Sequence, residues 1–297
     1  MMFASTFVAL LAGYPVALTL AGIALIFAAV GTLTGTFNPS DLGFSAGRIF
    51  GLVTNQTLIA VPLFVFMGVT LERTKIAETL LSDLSAMLGK NRAGLAITVI
   101  LVGSLMAAST GIVGATVVTM SLMSLPIMLR AGYSPRLATG TISATGTLGQ
   151  IIPPSIALVL LGDVLSNAYQ QAQLSQGIFA PKSISVGDLF AGAIVPGLCL
   201  VVLYLIFVST QVFFSRQKIR PTSTNHRALN YSSLGLSLFP PLVLIFAVLG
   251  SIILGYATPT EASGIGAAGA ILIGLSKNKL PISKIKEICE STLSTTG

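Results

Sequence analysis

The chain has no tryptophan, one histidine, two cysteines and only 25 charged residues in 297. Charged residues are 8% of the total, against roughly 25% in an average soluble domain. So little charge cannot cover the surface of a soluble globule of this size, which excludes a cytosolic enzyme and a disordered chain. Two cysteines exclude a disulfide scaffold. Cys199 lies in an apolar run and Cys289 in a basic, amphipathic stretch, each without a neighbouring Cys or a His at ligand spacing. His226 stands alone in a basic loop, so its expected role is solvation. No His pair, HExxH or Ser-with-His arrangement occurs inside the apolar runs, which argues against an enzyme. The net charge of +7 has no dense basic face, which excludes a nucleic-acid binder. The N-terminus lacks a basic n-region and its apolar stretch is too long for a signal peptide.

What the sequence has is apolar length. Hydrophobic residues make up 53% and the mean hydropathy is +0.91. Apolar runs cover 3–33, 49–69, 94–129, 137–161, 189–214, 234–254 and 257–275. A helix rising 1.5 Å per residue crosses the hydrocarbon core in about 20 residues. The runs are continuous rather than alternating, so they read as helices and not as barrel strands. The expected fold class is an all-α polytopic membrane protein embedded in a lipid bilayer.

Fourteen of the 16 Lys and Arg fall in four clusters: Arg73, Lys75, Lys90 and Arg92; Arg130 and Arg136; Arg216, Lys218, Arg220 and Arg227; and Lys277, Lys279, Lys284 and Lys286. The positive-inside rule places all four in the cytoplasm, so each stretch between them crosses an even number of times. Run 137–161 then goes out and 189–214 returns, leaving the Gln-rich segment 163–187 outside. Run 234–254 goes out and 257–275 returns around a turn near Gly255. The first run, 3–33, contains Gly13 and Pro15 and reads as one long helix or two short ones.

Run 94–129 is short for two full spans and carries Ser109-Thr110-Gly111-Ile112-Val113-Gly114 at its middle. It reads as a re-entrant hairpin with a midplane tip, or as two short spans joined by an outer turn. Backbone exposed at that depth is tolerated only where protein or a cavity surrounds it. Segment 71–89 places Leu71, Ile76, Leu80, Leu84 and Leu88 at near-helical spacing with charges between them. It reads as an interfacial amphipathic helix ending at Gly89, either an arm between a fixed and a moving domain or a surface linker. Segment 280–290 resembles a second such helix.

Segment 140–155 reads GTISATGTLGQIIPPS. Pro153 and Pro154 lack N–H groups, and Gly146 and Gly149 loosen the backbone, so a continuous helix breaks there. The break frees carbonyls, and Thr and Ser add hydroxyl oxygens. Broken half-helices are how many secondary transporters hold Na⁺ and anionic substrate groups. A Pro kink with hydroxyls as interhelical glue is the plainer reading. Glu261 is the one acid well inside an apolar run. It is a functional candidate by depth, and a helix cap by its position after Thr258-Pro259-Thr260.

Taken together, the chain resembles the large membrane subunit of tripartite ATP-independent periplasmic (TRAP) transporters, the DctM-like family. The resemblance rests on Gly13-Tyr14-Pro15-Val16-Ala17, Ile59-Ala60-Val61-Pro62-Leu63-Phe64, Gly132-Tyr133, Gly146-Thr147-Leu148-Gly149-Gln150-Ile151-Ile152-Pro153-Pro154-Ser155 and Ala257-Thr258-Pro259-Thr260-Glu261-Ala262, in order along the chain. It implies an elevator-type secondary transporter of the bacterial inner membrane, driven by Na⁺ and built from inverted repeats, each with a re-entrant hairpin and a broken helix. The implied partners are a small four-helix membrane subunit, a periplasmic substrate-binding protein and an organic acid substrate. No cofactor is implied beyond Na⁺ as coupling ion.

Carried onto this sequence, the resemblance marks Ser109, Thr110 and Ser155 for substrate. It marks Ser109, Gly111, Thr145, Gly146, Thr147, Gly149 and Pro153 for Na⁺, with Pro154, Thr258, Pro259 and Glu261 in structural or coupling roles. The implied organisation is scaffold helices over 1–70, an arm over 71–92 and the hairpin and broken helix of a transport domain over 93–161. A periplasmic loop over 162–188, a spanning helix over 189–214 and a basic loop over 215–232 follow. Two helices over 233–276 open the second repeat and a second arm covers 277–297. The outer segment reads as an enlarged docking loop for the binding protein or as a plain solvated loop. Two departures stand out. A Thr occupies the Ser/Gly-rich hairpin tip. Family members also continue well past the second arm, with a second hairpin and broken helix. The expectation is therefore a fragment, a split gene or a truncated gene model. The alternative function is a non-transporting membrane scaffold or partner-binding subunit.

Overall fold

The computed structural model describes residues 1–89, 91–215, 219, 231–277 and 280–296. Lys90, Arg216, Lys218, Arg220, His226, Arg227 and Lys279 lie outside them, and with them most of the expected basic loop 215–232. All regular structure among the described residues is helical. The chain forms two compact units, residues 1–55 and 56–297.

In the first unit, α1 (Met2–Leu11) and α2 (Val16–Leu33) are separate helices. Gly13 at φ +81° and Pro15 interrupt the run, since a left-handed residue and a missing N–H cannot continue a helix. A 3₁₀ turn, Pro39–Leu42, leads into α3 (Gly43–Val53). Thr19 is the one buried residue of these helices. Their apolar side chains are otherwise open, as in helices built to face lipid or a partner.

The second unit begins with α4 (Gln56–Arg73). Run 49–69 is therefore not one helix: α3 ends at Val53, and residues 54–55 separate it from α4. The boundary between the two units falls at 55/56, and within the second unit α4 packs against the hairpin elements. The reason lies in its small and apolar buried face, which includes Ala60, Phe64, Met67 and Gly68. Helix α5 (Ile76–Leu88) starts later than the 71–89 segment. Leu71 belongs to α4, and Lys75 turns the chain with φ +56°. Its buried face carries Ile76, Ala77, Leu80, Leu81 and Ser85.

Next come α6 (Gly94–Thr110), α7 (Val113–Arg130), α8 (Pro135–Thr147) and α9 (Ile156–Ser175). Segment 162–188 is not simply a loop. Residues 163–172 contain no Gly or Pro and include Leu165, Ala168, Gln170, Gln171 and Ala172, all strong helix formers, and α9 runs on to Ser175, with Gly177 at φ +79° soon after. Gln173 then folds the connection back, donating to Lys182 O at 2.9 Å and accepting from Lys182 N at 3.0 Å. Helix α10 (Val186–Phe214) opens on a Ser185/Asp188 capping box. Helices α11 (Tyr231–Ile253), α12 (Pro259–Ser276) and α13 (Ile282–Thr296) complete the described chain.

Helix α4 is the spine of this unit, packed along α12, α13 and α6. Thr260 Oγ1 donates to Gln56 O at 2.6 Å, and Met67 of α4 lies against Gly266 of α12. Ile288 of α13 is buried with Val65 and Val69. Arg73 pairs with Glu287 at 3.3 Å, an exposed contact worth little by itself.

At the turn between α7 and α8, the Tyr133 hydroxyl donates to Arg92 O, tying the exit of the helical hairpin to its entry. Burial pushes this phenol up to about 12, so it stays protonated and able to donate across the physiological range. Tyr133→Phe is expected to lower unfolding free energy by about 1–2 kcal/mol by orphaning that carbonyl. Equilibrium unfolding in mixed micelles measures the loss. An unchanged midpoint would remove the tie from the account.

Candidate functional site

Two chain interruptions carry the site. The first joins α6 to α7. Gly111 sits at φ +62°, a conformation that suits glycine at a helix end. Its N–H donates to Ala107 O at 3.1 Å. Ile112 is extended, and α7 starts one residue later. Across this tip, Thr110 Oγ1 and Thr116 Oγ1 approach to 2.7 Å. Ser109 and Thr110 donate to the same carbonyl, Met106 O, at 2.9 and 3.0 Å. Donating its proton leaves each hydroxyl oxygen with lone pairs to offer.

The second interruption separates α8 from α9. A 3₁₀ turn, Leu148–Gln150, follows α8, and residues 151–154 are not helical. Pro153 and Pro154 can donate no backbone hydrogen bond. Ser155 spans the gap. Its hydroxyl donates to Gln150 O at 2.8 Å and accepts from Leu158 N at 3.3 Å as the N-cap of α9.

The two interruptions meet. Gln150 Nε2 donates to Gly111 O at 2.6 Å. A Cβ on Gly149 would lie 3.0 Å from Ala107 O, so glycine is what lets the break approach α6 this closely. Four residues earlier on both helices, Gly103 faces Thr145 in the same way, which sets α8 parallel to α6. Helix α4 closes another side: a Cβ on Gly68 would fall 2.4 Å from Thr110 Cα and 2.7 Å from Ser109 O.

Of the residues marked from sequence, Ser109, Thr110 and Gly111 therefore form the tip, and Gly149, Pro153, Pro154 and Ser155 form the break beside it. All seven are buried. Thr145 and Gly146 lie about a turn further back, against Gly103 of α6 and Val117 of α7. Thr145 Oγ1 is engaged with Thr141 O at 2.7 Å. Thr147 is exposed and donates to Ala144 O, outside the buried cluster, because the helical turn points it away from α6. Thr258, Pro259 and Glu261 build the start of α12. Glu261 Oε2 accepts from Thr258 N at 2.8 Å while Glu261 N donates to Thr258 Oγ1 at 3.3 Å, a capping box. This cap neighbours Gln56, roughly 18 Å along α4 from Gly68 at 1.5 Å per residue.

Three contributors escaped the sequence reading. Gln150 was visible as a lone amide inside an apolar run. Gly68 and Thr116 carried no distinguishing signal, since their role depends on which helix passes beside the tip. The assembled groups are uncharged hydroxyls, one amide and backbone carbonyls. Such a donor set suits a hard cation or polar ligand groups, and not a soft metal.

A helical chain with paired interruptions at a common level is the architecture of a polytopic membrane protein. Four described helices, Val16–Leu33, Gln56–Arg73, Val113–Arg130 and Val186–Phe214, are each long and apolar enough to cross a membrane. Residues 3–297 match the family model described as tripartite ATP-independent periplasmic transporter, DctM component, and the chain belongs to that family. It is 30% identical over 270 residues to the C4-dicarboxylate TRAP transporter large permease protein DctM of Rhodobacter capsulatus, covering 90% of this chain and 58% of that protein. It is 29% identical to the Pseudomonas aeruginosa protein of the same name, covering 80% and 51%. To the sialic acid TRAP transporter large permease protein SiaM of Vibrio cholerae it is 28% identical, covering 97% and 62%. These relatives are transporter permeases rather than enzymes, and the chain is a multi-pass membrane protein. It spans between half and two thirds of their length.

Gly68→Ala is expected to destabilise by about 1–3 kcal/mol, because the added methyl meets backbone of the tip that cannot yield cheaply. Gly114→Ala, on the hairpin itself but facing open space, is expected to be neutral or stabilising by up to about 1 kcal/mol. Thermal unfolding of the two variants in detergent compares them. Equal midpoints would contradict the close approach of α4 to the tip.

Proposed function

We propose that the chain supplies one substrate- and ion-binding half of a permease that imports an organic acid by Na⁺ symport across the bacterial inner membrane. The observation carrying this reading is the contact of Gln150 with Gly111 O, which joins hairpin tip and helix break into one buried oxygen-rich cluster. Related large permeases are named for C4-dicarboxylate, sialic acid and ectoine. Each of these compounds bears a carboxylate, which supports an organic acid as the substrate class.

In the proposed arrangement, Ser109 Oγ, Thr110 Oγ1 and carbonyls freed at the two interruptions offer oxygens to one Na⁺. Ser155, Gly149 and Pro153 shape the wall on the break side. Gln150 holds the two walls at a fixed separation. A hard cation favours such oxygens, and binding it would neutralise their converging dipoles and favour an adjacent carboxylate. The hairpin of α6 and α7 would then be re-entrant, and together with α8 and α9 would move as an elevator past fixed helices. Substrate would arrive from a periplasmic binding protein, with a small four-helix membrane subunit bracing the fixed part.

The test is uptake by the assembled transporter, with binding protein and small subunit, across a range of Na⁺ concentrations. Gln150→Leu is expected to cut Na⁺-driven uptake about tenfold or more, a loss of at least about 1.4 kcal/mol, and to raise the Na⁺ needed for half-maximal rate. Membrane abundance should stay near that of the wild type. Unaltered uptake with unaltered Na⁺ dependence would overturn the assignment, and wild-type uptake indifferent to Na⁺ would overturn the coupling.

A further inference from the structure

A cavity of about 480 Å³ opens between α6, α8 and α10, apart from the cluster just described. Its charged and amide side chains gather at one end, while Thr141 and Thr145 lie further along α8 with their hydroxyls donated to Leu137 O and Thr141 O. Arg136 stands in the first turn of α8 and Gln211 in the last turn of α10, beside the ends of the helices where Arg130 and Arg92 also lie. The rest of its wall is mainly aliphatic and aromatic: Ile100, Leu137, Ala144, Phe207 and Val208, with Tyr204 between them. From Arg136 to Thr145, the deepest wall residue on α8, the helix rises roughly 13 Å.

Among the described residues, Arg136 has no counter-ion. All nine acidic residues are among the described positions, and none comes within salt-bridge distance of it. An arginine at the start of α8, beside the end of the long apolar helix α10 and heading a mainly apolar slot, complements an amphiphile with an anionic head. A small dianion would need donors at both ends of its site, and this cavity offers a cation at one end only. A guanidinium also suits a phosphodiester, which it can grip through two parallel N–H bonds.

We propose that this cavity is a specific site for an anionic phospholipid, with the phosphate on Arg136 and Gln211 and an acyl chain lying along Leu137, Gly140 and Ala144 against Phe207 and Val208. Gly140 contributes by absence. A Cβ built there meets nothing within 4 Å, so the slot's width depends on glycine and a larger side chain would fill it without striking backbone. The site sits where α8 meets α10 and α6, so an occupied slot would brace the broken helix against both neighbours. This proposal stands on the cavity and on Arg136, independently of the Na⁺ reading.

Native mass spectrometry of the purified full chain, delipidated and then titrated with phosphatidylglycerol, phosphatidylethanolamine or soluble glycerophosphoglycerol, tests it. The expected result is one phosphatidylglycerol adduct, about tenfold tighter than phosphatidylethanolamine, and no competition from the soluble headgroup. Arg136→Gln and Gly140→Phe should each weaken it about tenfold. Arg136→Lys should restore part of it, and Arg130→Gln, in the same basic cluster but outside the cavity, should leave it intact. Size-exclusion profiles and melting midpoints identify variants that misfold. Because Gly140→Phe keeps the charge and Arg136→Gln keeps the slot, the proposal does not hang on one variant folding. Loss with Arg136→Gln but not with Gly140→Phe, or competition by the soluble headgroup, would mark a site for a free anion and overturn the lipid assignment. Equal binding by all variants, or equal affinity for both lipids, would overturn it outright.

Discussion

A helix that stops inside a bilayer strands carbonyls and N–H groups where no water can reach them, at several kcal/mol for each group left bare. The second unit stops two helices, at the buried Gly111 and at the half-buried Gln150. Their solution is mutual. The amide of Gln150 serves the carbonyl of Gly111, the hydroxyl of Ser155 serves the carbonyl of Gln150, and Met106 O receives two hydroxyls from the tip. Neither interruption is satisfied without its neighbours, so the hairpin and the broken helix are constrained to one level of the fold. The oxygen-rich cluster is a direct consequence of that constraint.

Close backbone approach makes the mutual satisfaction possible, and it is obtained with glycine at particular contacts. Gly149 and Gly103 let α8 and its following turn lie against α6, Gly146 admits Val117 of α7, and Gly68 lets α4 reach the tip. Helix α4 in turn is held by α12, through the Thr260–Gln56 bond and the Met67–Gly266 contact, and by α13 through Ile288. The tip is thus braced by an element that begins outside the hairpin itself. Any motion that separates the hairpin from α4 must first break the Gly68 contact, as well as the bond from Thr119 Oγ1 to Glu72 Oε1.

The sequence made some of this legible because the signals were local. Two prolines and two glycines near position 150 announce a break whatever surrounds them. Gly13 and Pro15 marked where the first apolar run could divide, and the structure divides it there. The Thr258–Glu261 cap is an offset of three residues, readable from four letters. Other features depend on packing partners and were not readable. Hydrophobicity alone could not show that residues 49–53 end one helix and 56 starts another. It also could not show which helices α4 packs against within its unit. Polarity disguised the outer half of α9 as a loop, because Gln and Asn are equally at home on a solvated helix. Thr147 matched a motif by position, yet the helical phase turns it outward. Gln150 was in the motif, and only geometry distinguished it from its neighbours.

The central claim is that tip and break act together as one cation-responsive site. Hydrogen–deuterium exchange on the assembled transporter addresses it, comparing segments 108–116 and 147–156 in Na⁺ and in an equal concentration of choline. A shared site requires both segments to gain protection in Na⁺, over the same concentration range, while segment 258–264 stays unchanged. Protection of one segment alone, or of neither, would contradict it.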